Sequence, residues 1–388
     1  MFLHALPFAL SFALVPLYAM SAINGGAGIL LGPMAGYAVI SVLDRLRGHN
    51  ETNLDPDTPS AALFWHKLIT WSWLPLQLAL IYGGLAAIFL SDHLTTAEGI
   101  CLMAAIGIIT GSIGINYAHE LIHQRNRWER RLGRALLVTV LYGHFETEHL
   151  RVHHLHVATP RDAVTARYNE GFWRFFPRVL WQTLASAWAA DRAMLARRTR
   201  PVWHRSNPFW SYGLGAFVCL GAAYAIGGWH AVALFGLQAL VAVLHLELVN
   251  YIEHYGLVRL HLGNGRFEPV RPHHSWNASQ AVSNWLLINL QRHSDHHYKP
   301  DRRFPLLQTY SQDEAPQLPF GYPLMCLMAA IPPIWRRVMN RRVRDWRRQH
   351  YPQVTDWAPA KRGEPICAWV QSQNPRAPWA GRGPPAPG

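Results

Sequence analysis

Four short runs of this chain, His119-Glu-Leu-Ile-His123, Glu148-His149-Leu-Arg-Val-His153-His154, Asn250-Tyr-Ile-Glu-His254 and His293-Ser-Asp-His296-His297, hold nine of its 22 histidines. Neutral imidazole is the commonest transition-metal ligand among side chains, so runs of this density read first as a metal site. Residues four apart on a helix share a face, which pairs His119 with His123, His149 with His153 and His293 with His297. His154 and His296 stand beside two of those pairs, and His254 adds the ninth ring. One ion offers at most about six positions, so nine nitrogens imply two ions. Each run also sets a carboxylate beside a histidine: Glu120, Glu148, Glu253 and Asp295. A metal-bound imidazole usually donates its second N–H to a carboxylate or carbonyl, and the recurrence suggests that role. Direct ligation by any of the four stays open at this level.

These runs need elements to carry them, and the composition says which kind. The chain has 388 residues, is 50% hydrophobic and only 15% charged, too little charge for an ordinary soluble protein. Apolar stretches at Ala5–Met20, Gly25–Leu43, Ile69–Leu90, Glu98–Tyr117, Tyr212–Gly228 and Trp229–Val249 each approach the ~20 residues that cross hydrocarbon. The expectation is an all-α polytopic membrane protein with six transmembrane helices and a cytoplasmic, histidine-rich helical domain. Residues 1–118 form four spans with a loop at 44–68. Residues 119–210 and 251–348 carry the histidines, 211–250 form two further spans, and 349–388, rich in Pro, Gly and Arg, are read as a disordered tail. Met1–Met20 lacks a basic start and is followed by a second apolar stretch, which favours an uncleaved helix over a signal peptide. Pro332-Pro333 argues against a straight span at Gly321–Trp335.

Lys and Arg are absent before Arg45, between Lys67 and Arg125, and between Arg205 and Arg259. Basic loops stay cytoplasmic, so the turns at Ser21–Asn24, Ser91–Ala97 and around Gly228 are placed outside and all four histidine runs inside. The net charge of +13 fits that topology and anionic lipid headgroups better than nucleic acid. Part of it could serve an acidic redox partner. Four scattered cysteines form no C-x-x-C, which excludes a fused iron–sulfur or rubredoxin domain, so an electron donor must be a separate protein. Glu247, seven residues before His254, is an ionisable group at membrane depth and is expected to face the metals.

The runs His119-Glu-Leu-Ile-His, Glu148-His-Leu-Arg-Val-His-His, Asn250-Tyr-Ile-Glu-His-Tyr-Gly-Leu257 and Leu290-Gln-Arg-His-Ser-Asp-His-His297, with Val157-Ala-Thr-Pro-Arg-Asp162, closely resemble the boxes of integral-membrane alkane 1-monooxygenases, relatives of xylene monooxygenases and membrane fatty acid desaturases. The resemblance covers roughly residues 69–305. It implies a non-haem centre of two Fe ions held by His119, His123, His149, His153, His154, His254, His293, His296 and His297, with Glu120, Glu148, Glu253, Asp295 and Glu247 around it. It also implies electrons from rubredoxin or a ferredoxin with an NAD(P)H-dependent reductase, an apolar substrate drawn from the bilayer, and O2-dependent conversion of a terminal C–H bond to a primary alcohol. The implied location is a bacterial inner membrane with the site on the cytoplasmic side. Gln124, Val152, Arg161 and Ala163 depart from residues common in that family, which touches substrate and donor preference and no candidate ligand.

Three other readings compete. A membrane fatty acid desaturase or a xylene-type methyl hydroxylase shares the di-iron chemistry. His119-Glu-Leu-Ile-His123 alone could serve a zinc metalloprotease with Glu120 as base, at the cost of leaving most other histidines idle. A non-catalytic metal-storage or transport protein is the last.

Overall fold

The structure is a computed structural model and describes residues 1–367. Among these residues five helices are long and apolar enough to cross a membrane: Phe2–Asn24, Gly26–Arg47, Ser60–Phe89, Thr96–Ile122 and Pro208–His254. Strand is confined to a small hairpin, His261–Gly263 with Arg266–Phe267. The described residues are therefore mostly helical with little strand, as the long apolar stretches led one to expect.

Local chemistry sets the boundaries. Thr95 and Glu98 form a reciprocal capping box at the start of Thr96–Ile122, with Glu98 Oε2 accepting from Thr95 N at 2.8 Å. Asn207 Oδ1 accepts from Phe209 N at 3.0 Å, and Pro208 takes the first helical position, where its missing N–H is not needed.

The Pro208–His254 helix is broken at Gly227 and Gly228, whose φ of 59° at Gly228 needs a residue without Cβ. Its two halves double back. A Cβ on Gly143 would lie 3.0 Å from Tyr212, while the neighbouring Tyr142 hydroxyl donates to Glu247 at 3.0 Å. The break itself packs on Phe89. The other two basic-free turns also meet: Gly26 N donates to Glu98 at 2.6 Å, and His93 Nε2 lies 2.8 Å from Ala22 O. All four histidine runs sit away from these turns, at the far ends of the apolar helices.

Small residues let two of the helices close on each other. A Cβ at Gly107 would stand 2.7 Å from Gln238 O, and one at Gly111 would stand 2.5 Å from Ala242 O, so Thr96–Ile122 and Pro208–His254 pack backbone to backbone. Gly26 and Gly28 have open space instead, and only Gly26, at φ 58°, has a backbone conformation that favours glycine.

One expectation changes and one holds. Residues 349–367 are not a loose tail: Tyr351, Val354, Ala360 and Ile366 bury themselves with Leu260, and Ala358–Arg362 is a short helix. Enough apolar side chains sit among the prolines to close a satellite core. The rest of the expected tail, 368–388, lies outside the described residues. Near Pro332 the chain forms two helices, Tyr322–Ala329 and Pro332–His350, with non-helical Ile331 between them.

Candidate metal centre

His119 and His123 occupy the last turn of Thr96–Ile122 and the residue after it, beyond a π-helical stretch at Thr110–Ile115. His254 ends its long helix, where Tyr255 leaves helical geometry and Gly256 turns at φ 71°. His149, His153 and His154 lie on 145–156, a short helix whose centre, His149–His153, is π-helical. That segment is pinned from behind: Arg151 Nη1 donates to Asp191 Oδ1 at 2.7 Å, and Thr147 Oγ1 donates to Asp191 Oδ2 at 2.9 Å. The short helix His293–Tyr298 follows Ile288 and Asn289, both at positive φ (48° and 59°). For a β-branched residue that conformation is strained, and it persists because the surrounding packing fixes the turn that aims His293.

The nine rings converge in two groups through their Nε2 atoms. His119, His123, His149, His154 and His296 form one, and His153, His254, His293 and His297 the other. In the first, His149 Nε2 lies 2.8 Å from His119, 2.9 Å from His123 and 3.0 Å from His154, with His296 3.1 Å from His154. In the second, His297 Nε2 lies 3.0 Å from His293 and 3.3 Å from His153, with His254 3.1 Å from His293. The groups abut, because the chain passes from one to the other between His153 and His154 and again between His296 and His297.

This partition corrects the pairing expected from helical periodicity. His149 shares a group with His154, five residues on, and not with His153. A π-turn takes more than four residues per turn, which brings i and i+5 onto one face. The His119–His123 and His293–His297 pairs hold.

Hydrogen bonding among the rings does not account for such closeness. A neutral imidazole nitrogen carries one proton or one lone pair, and His149 Nε2 faces three other Nε2 atoms, of which one proton could serve only one. A cation about 2.1 Å from each nitrogen sets neighbouring ligands ~3.0 Å apart at right angles, the spacing found here. Both groups can thus hold a metal ion. Burial, reinforced by the neighbouring rings, pushes His123, His149, His154, His293, His296 and His297 well below the usual imidazole pKa, so their lone pairs are free at neutral pH.

The carboxylates divide in ways the runs did not announce. Asp162 holds one of the nine rings directly, its Oδ2 lying 3.1 Å from His153 Nδ1. Burial raises its pKa, but the His153 ring, through charge and hydrogen bond, outweighs that and holds the carboxyl below its ordinary value. Asp162 was visible in sequence only as the end of Val157–Asp162, with no histidine adjacent. Glu253 Oε1 lies 3.2 Å from His293 Nδ1, too poorly aligned for a full hydrogen bond, and accepts from the Tyr322 hydroxyl at 2.8 Å. It therefore serves a ring of another run and not its neighbour His254.

Glu120 accepts from Gln124 Nε2 at 2.9 Å and from Phe304 N at 3.2 Å. Asp295 pairs with Arg302 and accepts from Tyr310 and Gln308 N. Neither has a histidine among these partners, so the expected role as a histidine acceptor fails for both: on a helix, adjacent side chains point about 100° apart. Glu148 is fully buried with both carboxylate oxygens unpartnered, and burial, then Asp162 and Glu247, push its pKa far up. Glu247 meets Tyr142 and Asn250.

Residues 94–327 match the model of a family described as fatty acid desaturase. An alkane 1-monooxygenase 2 of Pseudomonas aeruginosa is 36% identical over 328 residues, covering 82% of this chain and 85% of that protein. An alkane 1-monooxygenase 2 of Alcanivorax borkumensis is 38% identical over 79% of this chain and 80% of its own length. The chain belongs to the fatty acid desaturase family. Within it, this desaturase-family chain groups with the alkane 1-monooxygenases, and it also resembles the hydroxylase component of a xylene/toluene monooxygenase from Pseudomonas putida at 27% identity over 90% of its length.

Two small apolar cavities lie side by side, and one of them reaches the rings of this desaturase-family centre. The inner one, about 30 Å³, is lined by Phe145, Leu246 and Leu290 and touches His119 and His149 of one group and His293 of the other. The outer one, about 50 Å³, lies among Leu14, Tyr37, Ile109 and Leu286. Ser112 and Val249 line both. A further gathering of Glu268, His273 and His274 is a hydrogen-bond cluster. His274 Nδ1 accepts from Arg271 N at 2.9 Å, which leaves the proton on Nε2, facing Glu268 Oε1 at 3.2 Å, and no lone pair there for a cation.

Proposed function

We propose that this chain is a membrane di-iron monooxygenase that hydroxylates the terminal C–H bond of an apolar substrate, an alkane becoming a primary alcohol. The observation that carries this reading is the five-and-four division of nine Nε2 atoms, on seven buried and two half-buried rings, around two points. Affinity alone favours zinc or copper at imidazole sites, so iron is inferred from the family. Two ions held there would supply reductive activation of O2, chemistry no acid–base side chain can perform on an unactivated C–H bond. One oxygen atom enters the C–H bond and the other leaves as water, which consumes two electrons and two protons.

The protein's own part is positional. His119, His149 and His293 form the floor of the inner cavity, where Phe145, Leu246 and Leu290 exclude water and orient one end of a hydrocarbon. The outer cavity, sharing Ser112 and Val249, supports a route for substrate from the bilayer. Asp162 orients His153, and Glu253 stands beside His293.

The broken Pro208–His254 helix is read as two spans, which makes six. The absence of Lys and Arg from the clustered turns supports a bacterial inner-membrane location with the histidine end in the cytoplasm. Rubredoxin, or a ferredoxin, with its NAD(P)H-dependent reductase is the proposed donor.

The metalloprotease reading loses ground because both Glu120 oxygens are taken by Gln124 and Phe304 N, which leaves no base facing a metal-bound water. The test feeds octane, xylene and acyl thioesters to iron-loaded protein with rubredoxin and reductase. 1-Octanol supports the proposal, a benzylic alcohol alone moves the substrate to methylarenes, and an unsaturated acyl product without alcohol overturns it.

A further inference from the structure

The Phe172–Ala196 helix is not among those long and apolar enough to span a membrane, yet its three tryptophans are exposed. Its buried face is regular: Phe172, Phe175, Val179, Thr183, Ala187, Asp191 and Leu195. The remaining surface splits lengthwise. Trp173, Pro177, Leu180, Trp181, Leu184 and Trp188 fall along one strip at helical spacing, with Trp181 71% exposed. Arg174, Arg178, Gln182 and Ser186, each four residues from the next, fall along the adjoining strip. A soluble helix would have no use for the first strip.

Contacts at both ends fix the height of this helix. Trp188 packs edge-on against Phe209, with ring centroids 5.0 Å apart, and Phe209 lies in the first turn of Pro208–His254. That helix exposes Leu214, Phe217 and Val218 one turn further on, so Trp188 sits where a lipid-facing surface begins. At the other end the Trp173 indole N–H donates to Ala330 O at 2.9 Å, beside exposed Leu327, Ile331 and Ile334. Exposed Trp203 and Trp210 continue the same belt.

We propose that Phe172–Ala196 lies in the plane of the membrane, its tryptophan strip seated among the headgroups of anionic phospholipids and its exposed arginines, Arg174 and Arg192, at their phosphates. Tryptophan prefers that boundary because its ring is apolar and its N–H polar, and arginine beside it meets the negative surface. The seating matters to the site. The buried face supplies Asp191, which holds Arg151 and Thr147 of the 145–156 segment, and Thr183, whose Oγ1 lies 3.2 Å from the Tyr142 hydroxyl. The lipid surface thereby sets the level at which His149, His153 and His154 are held.

The test uses the full chain with Cys101 and Cys367 replaced by serine, reconstituted in phosphatidylglycerol-containing vesicles. Nitroxides placed through Trp181→Cys, Leu184→Cys, Gln182→Cys and Ser186→Cys are read for collisions with O2 and with a water-soluble nickel chelate. The proposal expects O2 collisions to exceed nickel collisions severalfold at 181 and 184, with the reverse at 182 and 186. Equal aqueous accessibility at 181 and 182 overturns it, as it would if the strip awaited a protein partner. A second measurement needs no substitution: a photoreactive phospholipid should label the peptide carrying Trp181 and Leu184, and labelling confined to the spanning helices also refutes the proposal.

Discussion

Replacing Asp162 by asparagine tests the site where sequence and structure part most clearly. Three donors converge on this carboxylate: Val164 N on Oδ1 at 3.1 Å, Thr165 Oγ1 on Oδ2 at 2.7 Å, and the His153 Nδ1 side on Oδ2 at 3.1 Å. Each oxygen accepts and neither can donate, so an amide must turn its NH2 toward at least one donor. If the amide oxygen keeps Thr165 and His153, the NH2 group opposes Val164 N–H, and a buried donor left unsatisfied costs about 1–3 kcal/mol. If it keeps Val164, His153 loses the acceptor that fixes its ring, a change that typically weakens metal affinity by roughly 10–100-fold. Asp162→Asn should therefore release metal from the four-histidine group faster than wild type while the five-histidine group, which Asp162 does not touch, keeps its own. The assay is metal per chain during timed chelation, read beside the thermal unfolding midpoint of the metal-free protein. Asp295→Asn is the control. Its partners are Arg302, Tyr310 and Gln308 N, so it should lower the midpoint without selective loss of one ion. Metal retention unchanged by Asp162→Asn, or lost equally from both groups, would refute the assignment.

Adjacent substitutions should differ in effect: His153→Ala leaves three rings in the four-histidine group and should cost it its ion, whereas His154→Ala leaves four in the other group, as many as hold the second ion, and should weaken retention there without emptying it, as iron analysis and Mössbauer spectra would report. Acid should destabilise the metal-free protein, because the six rings with lowered pKa stay neutral when folded but take up protons when unfolded below the ordinary value of 6.5. Each such ring removes about 1.4 kcal/mol per pH unit below that value until its own folded pKa is reached. The buried Glu148 carboxyl, whose folded pKa is raised, works the other way and adds stability as pH falls, so unfolding midpoints measured from pH 8 to 5 should rise slightly down to the ordinary imidazole value of 6.5 and fall below it, and a continued rise below it would contradict the burial of the six rings. Gly111→Ala forces a Cβ to within 2.5 Å of Ala242 O, so Thr96–Ile122 must move off Pro208–His254 at a cost of about 1–3 kcal/mol, visible as a lower unfolding midpoint in detergent.

Composition and spacing were enough to establish the class of molecule, since long apolar stretches bounded by basic loops leave a helical membrane protein as the one solution for their backbone polar groups. They also supplied the nine candidate rings and the expectation of two ions, because the count of histidines in the runs can be read directly from the chain. The division of those rings was not legible there. Spacing of i and i+4 paired His149 with His153, and a π-turn of the backbone separated them, in a segment that Asp191 holds from a helix some 40 residues away. The carboxylates went the same way. Asp295 sits beside His296 in the chain yet points to Arg302, whereas Asp162, nine residues from His153, reaches its ring. Neighbours on a helix diverge, and groups distant along the chain meet only when the packed backbone brings them together, so it was long-range packing that assigned these carboxylates their roles.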